Sequence, residues 1–164
     1  EVLRLDDRLN ALGGWLGKKV KGSGPSSISQ GFVTATLIFV IGAMAIIGAL
    51  DSGLRGDHDV LYTKAVIDGF TALVLSATLG IGVIFSAVPV MLYQGAIAAF
   101  ATQIDRFISP VLLDSMIVEL TAAGGVMIFA IGLNLAGLAS IKVANLLPSL
   151  FFAVMMAGFL SWLP

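Results

Sequence analysis

The stretch Tyr62-Thr63-Lys64-Ala65-Val66-Ile67-Asp68-Gly69 places a base and an acid at the head of a run otherwise made of Phe, Leu, Val, Ala and Thr. No Asp, Glu, Lys or Arg follows Asp68 until Asp105. Four residues apart, Lys64 and Asp68 share a helix face and reach each other. In a hydrocarbon medium such charges are expensive, so the pair is either a structural ion pair or part of a chemical site. Both readings require the apolar run around it to be a membrane helix.

Outward from this stretch the uncharged tracts are long: 22–50, 69–104, 120–141 and 143–164. Hydrophobic residues make up 58% of the chain and charged residues 12%, with a mean hydropathy of +1.02. Soluble domains carry roughly a quarter charged residues, so this composition specifies an integral membrane protein. About 20 residues cross a bilayer as a helix, and the tracts hold about five spans. With 19 glycines and no β-alternation, the chain favours close-packed helices over a barrel. The expected fold is all-α, a polytopic transmembrane helix bundle in contact with the lipid bilayer.

Residues 1–21 place Val2, Leu5, Leu9, Leu12 and Leu16 at spacings of three and four, an amphipathic helix for the membrane surface or a partner. Gly13-Gly14 is expected to weaken its last turns, and Trp15, Lys18, Lys19 and Lys21 suit the headgroup level. Residues 22–29, rich in Gly, Ser and Pro, read as a linker, and 30–164 as the transmembrane domain. Within it, span A runs from Gln30 to Leu50. Span B starts near Val60 and ends at Leu79-Gly80-Ile81-Gly82. Span C covers Val83–Ala101 with Pro89 in its interior, D runs around Glu119 to Leu135, and E covers Val143–Leu163 with Pro148. Lys and Arg concentrate before span A and at Lys142, which places both on the cytoplasmic side and the A–B and C–D loops on the other. The chain opens at Glu1 on neither a signal sequence nor a membrane span, so a preceding segment is expected.

Ile47-Gly48-Ala49-Leu50-Asp51-Ser52-Gly53-Leu54 and Ile131-Gly132-Leu133-Asn134-Leu135-Ala136-Gly137-Leu138 share the spacing of Ile-Gly and Gly-Leu, and each precedes a Lys that opens an apolar helix. With span C alone between them, the A–B and D–E units would be inverted copies, as in many secondary transporters. That arrangement points to polar residues within the tracts as substrate or ion ligands: Asp68 with Lys64, Gln94, Glu119, Asn134 and Asn145. Pro148 would free the carbonyl of Ala144 for a cation. The plainer alternatives are helix-joining hydrogen bonds for Asn134, Asn145 and Gln94, and an interface position for Glu119.

The phrases Gly48-Ala-Leu-Asp-Ser-Gly-Leu54, Lys64-Ala-Val-Ile-Asp-Gly69, Tyr93-Gln-Gly95, Glu119-Leu-Thr-Ala-Ala-Gly-Gly125, Ile131-Gly-Leu-Asn134 and Val143-Ala-Asn-Leu-Leu-Pro148 together resemble the DUF554 family of bacterial membrane proteins. The resemblance covers nearly the whole chain and implies an additional N-terminal pair of helices ahead of Glu1, a bacterial inner-membrane location, and a transport-related role.

Function narrows by elimination. Without Cys there are no disulfides or thiolate sites. Gly80-Ile-Gly82 lacks the Lys-Ser/Thr of a phosphate loop. The one histidine, His58, lies in a loop, so neither a Ser-His pair nor a zinc motif is present, and no enzyme, metal site or cofactor is expected. Two readings remain. One is a secondary transporter or ion-coupled permease for a small solute or cation, using Asp68 and Glu119 for the ion and Gln94, Asn134 and Asn145 for the cargo. The other is a non-catalytic membrane subunit of a homo-oligomer or larger complex. Nothing in the charge points to nucleic acid.

Overall fold

Glycines and prolines set the boundaries in this chain, whose apolar tracts would otherwise run on as helix. The structure, a computed structural model, describes residues 5–19 and 25–160. It contains α1 (Leu5–Lys19), α2 (Pro25–Val40), α3 (Ala43–Arg55), α4 (Asp59–Leu79), a 3-10 segment (Gly80–Ser86), α5 (Ala87–Ala99), α6 (Ala101–Phe107), α7 (Pro110–Leu135), a second 3-10 segment (Val143–Leu146) and α8 (Leu147–Leu160). There is no strand among the described residues, and the all-α helical bundle expected from composition is present.

Two stretches, Asp59–Ala99 and Pro110–Leu135, are long and apolar enough to cross a membrane. The pair Ile28–Val40 and Ala43–Arg55 forms a third if taken as one span, bent by 63°. The bend falls at Gly42, whose φ of 152° lies where side chains with a Cβ are strained. Span A is therefore a broken helix rather than a continuous one. Helix α2 also begins at Pro25, inside the 22–29 stretch expected to be linker, because proline suits the first helical turn.

Asp59–Ala99 is not one rod. Asp68 and Gln94 line the same cleft, yet along a continuous helix their 26-residue separation would be about 39 Å. The chain reverses through the 3-10 segment, entered at Gly80 with φ 75°. This puts Pro89 in the first turn of α5, where a missing N–H costs nothing, and not in a helix interior as expected. Pro148 likewise sits in the first turn of α8. The Ala144 carbonyl accepts the backbone N–H of Leu147, so it is not the free cation ligand that the sequence led us to expect.

Helix α2 is the axis. Its residues step round by about 100° each, so Val33, Leu37 and Ile41 face one way and Ile28, Ala35 and Phe39 the other. The first set packs with Met127, Ala130 and Ile131 of α7 and with Val143 and Ala144. Ala35 and Phe39 pack with Leu75 of α4 and Val83. Lipid tails are as apolar as these side chains, so close backbone approach holds such helices together. It occurs where Gly31 meets the carbonyl of Leu79, at 2.9 Å from where its Cβ would be, and where Gly82 meets the backbone of Ile28.

These contacts gather α1, the start of α2, both 3-10 segments and the α7–α8 turn at one end of the bundle. Gly53 against Ala98 and Ala101 marks the other end. Helix α1 packs on α2, with Gly13 directly over Ser29. Gly13-Gly14 thus does not fray the helix, which continues to Lys19; Gly13 lets it approach. The leucine stripe is only partly used, Leu9 joining the core while Leu12 is 56% exposed. Val2 and Lys21 lie outside the described residues.

The paired Ile-Gly and Gly-Leu motifs differ locally. Gly53 is helical within α3, whereas Gly137 has φ 71° in the turn after α7. Helix α7 is unbroken over 26 residues where α2 and α3 are bent.

Candidate functional site

The α4 residues Val60, Leu61, Lys64 and Asp68 fall on one helix face, and Gly48 of α3 sits against Val60 and Leu61. Burial of Lys64 follows from this contact: only 7% of it is exposed, and its ammonium is ion-paired to the carboxylate of Asp68. Asp68 keeps 27% of its side chain accessible. It lies about 14 Å along α4 from Asp59, near the middle of a helix about 30 Å long. Breaking such a pair by removing one partner leaves an uncompensated charge, which is why both are required together.

Asp68 opens on a cleft of about 450 Å³ between α4 and α5, closed at the back by Phe39 of α2 and lined by Ala72, Val90, Met91 and Gln94. The walls are mostly apolar. The amide nitrogen of Gln94 is buried without a hydrogen-bond partner. An unmet buried donor costs roughly 1–3 kcal/mol, and the residue that carries it lines the same cleft as the Asp68 carboxylate. Ser86 also lines the cleft, but its hydroxyl donates to the Val83 carbonyl at 2.6 Å and is satisfied. Lys64 is thus joined to Asp68 as an ion pair, and Asp68 and Gln94 line the same cleft.

The other three candidates are elsewhere. Glu119 is exposed on α7, away from the cleft. Asn134 clamps the turn after α7, donating to the Ile141 carbonyl at 2.7 Å and accepting its N–H at 2.8 Å. Asn145 accepts the backbone N–H of Asp6 at 3.0 Å. For both asparagines the joining role holds. Sequence reasoning missed Phe39 and the buried, unpartnered hydroxyl of Thr36. It also missed a second chamber on the opposite face of α2, lined by Asp6, Asn10, Gln30, Thr34 and Asn134. The spacing of Gln30, Val33, Thr34 and Leu37 is the signal for that face. No group of three or more His, Cys, Asp or Glu able to hold a metal occurs among the described residues.

An all-helical chain with apolar helices of spanning length and a charge pair at mid-helix defines a membrane protein. Residues 1–158 match the family described as "Protein of unknown function (DUF554)", and the chain belongs to that family. It is 35% identical over 150 residues to the uncharacterized membrane protein YdfK of Bacillus subtilis strain 168, covering 92% of this chain and 61% of that protein. It is 31% identical over 137 residues to the uncharacterized protein YqgA of Escherichia coli K12, covering 83% and 57%. The chain spans about three-fifths of the length of these curated relatives. No solved structure matches it significantly.

Proposed function

We infer that the protein is a secondary transporter or ion-coupled permease for a small solute or cation. The observation that supports this reading is the Lys64–Asp68 pair opening at mid-helix on a cleft lined by Gln94, whose amide nitrogen is buried without a partner. A structural pair alone has no use for an adjoining cleft with an unmet donor. Protonation of Asp68 or a cation beside it would loosen its hold on Lys64, which couples ion occupancy to the packing of α4 on α3. Reconstituted vesicles carrying the wild type should take up solute or ion under an imposed pH or Na⁺ gradient, and Asp68→Asn should abolish this while eluting as a folded protein. Equal flux from both proteins would rule the reading out.

The same reading places five passes, α2–α3, α4, α5, α7 and α8, in a bacterial inner membrane with the basic end cytoplasmic. Single cysteines introduced at Lys18, Asp57 and Ser140 should then label with Asp57 on the side opposite the other two. With these five passes the α2–α4 and α7–α8 units would run in opposite senses, as an inverted repeat requires. Spin-label distances between α3 and α4 and between α7 and α8 test whether the likeness extends to crossing angles.

A second reading, a non-catalytic subunit of a larger assembly or homo-oligomer, has its own support. Glu119 lies about 14 Å into α7 and is exposed there beside Val118, and a carboxylate at that depth favours a protein neighbour over lipid. Cross-linking from Glu119→Cys in vesicles would favour it.

A further inference from the structure

We propose that the chamber between α1, α2 and α7 binds a monovalent cation, with the carboxylate of Asp6 as its charged ligand. The chamber occupies about 180 Å³ and lies on the face of α2 opposite the Asp68 cleft, so this inference does not rest on solute transport there. Its sign is set by its lining: among the described residues Asp6 is the one charged member, and the other polar groups are the neutral side chains of Asn10, Gln30, Thr34 and Asn134. Carboxylate, amide and hydroxyl oxygens are hard donors that suit alkali cations. A single carboxylate argues against a divalent ion, for which protein sites assemble several acidic ligands. Since one water takes about 30 Å³, the chamber has room for an ion that keeps part of its hydration.

The carboxylate is held in place by a chain of hydrogen bonds. The backbone N–H of Asp6 donates to Asn145, and the Asn10 amide donates to the Asp6 carboxylate, each at 3.0 Å. The Ser29 hydroxyl donates to the Asn10 side-chain oxygen at 2.9 Å. Asp6 is thereby fixed over the chamber from α1, while Gln30 and Thr34 belong to α2. A cation shared between them ties α1 to the bundle, and occupancy is read as protection of α1.

The test uses the full chain in lipid nanodiscs, titrated with NaCl or KCl against choline chloride at constant ionic strength. The readouts are amide hydrogen exchange of residues 5–19 and melting temperature. Saturable protection of α1 by Na⁺ or K⁺ but not choline is expected. Asp6→Asn keeps the size and hydrogen-bond acceptance of the side chain, and should shift the midpoint at least about tenfold. Gly95→Ala, on α5 away from the chamber and meeting nothing within 4 Å, should leave the midpoint unchanged. Should Asp6→Asn not fold, Thr34→Val, which removes one neutral oxygen, should weaken the midpoint severalfold. No alkali response in the wild type, an equal response to choline, or wild-type midpoints in both variants would overturn the proposal.

Discussion

The two faces of α2 solve the problem of polar groups in an apolar bundle differently. On the side of α4 and α5, a full charge lies at mid-helix and is tolerated because Lys64 and Asp68 neutralise each other inside apolar walls. On the side of α1 and α7, the described polar groups lining the chamber are neutral except Asp6, and they sit at one end of the bundle tied by hydrogen bonds of about 3 Å. The first arrangement concentrates energy in one pair, and the second spreads it over several weak bonds. Substitutions on the cleft side should therefore act on the whole bundle, and those on the chamber side should act locally on α1.

The largest effect is expected at Gly82, where an added Cβ would meet the Ile28 backbone, which has no flexible end to give way. Gly82→Ala should destabilise the bundle by about 3 kcal/mol or more, measured by denaturation in mixed micelles, with a loss below about 1 kcal/mol denying that α2 docks there. Next is Lys64→Met, which strands Asp68 and should cost roughly 2–4 kcal/mol; a neutral outcome would mean the pair is already solvated. On the chamber side, Gly13→Ala presses on Ser29, whose Cα lies 2.6 Å from the new Cβ. It should expose α1 to hydrogen exchange while moving the global melt little. The smallest effect belongs to Gly95→Ala, which meets nothing within 4 Å. It should change stability by less than about 1 kcal/mol, in the stabilising direction given alanine's helix propensity.

The membrane class, the helical fold and the Lys64–Asp68 pair were legible because each is local: hydropathy within a tract and a spacing of four within one helix. The near-coincidence of span B with α4, Asp59–Leu79, has the same origin. What was not legible depends on contacts across the chain. That Gln94 and Asp68 line one cleft follows from the reversal at Gly80–Ser86, and a Gly-rich apolar segment does not by itself distinguish a kink from a turn. The bend at Gly42 and the close approach at Gly13 were hidden likewise, since a glycine in sequence does not disclose what packs against it. Pro89 and Pro148 misled because a proline reads as a mid-helix break until the helix start is known. Asn134 and Asn145 looked alike as polar residues near helix ends, and only their partners, Ile141 and Asp6, separate a turn clamp from an anchor for α1.

Whether the charge pair is chemistry or scaffolding is best tested by the double variant Lys64→Met, Asp68→Leu. Replacing a buried ion pair by apolar residues of similar volume is often neutral or stabilising, so the double variant should fold with stability close to the wild type. A functional cleft predicts that this well-folded protein shows no ion-dependent binding or flux in vesicles. Recovery of both stability and ion response would contradict the account and leave Lys64–Asp68 a structural pair.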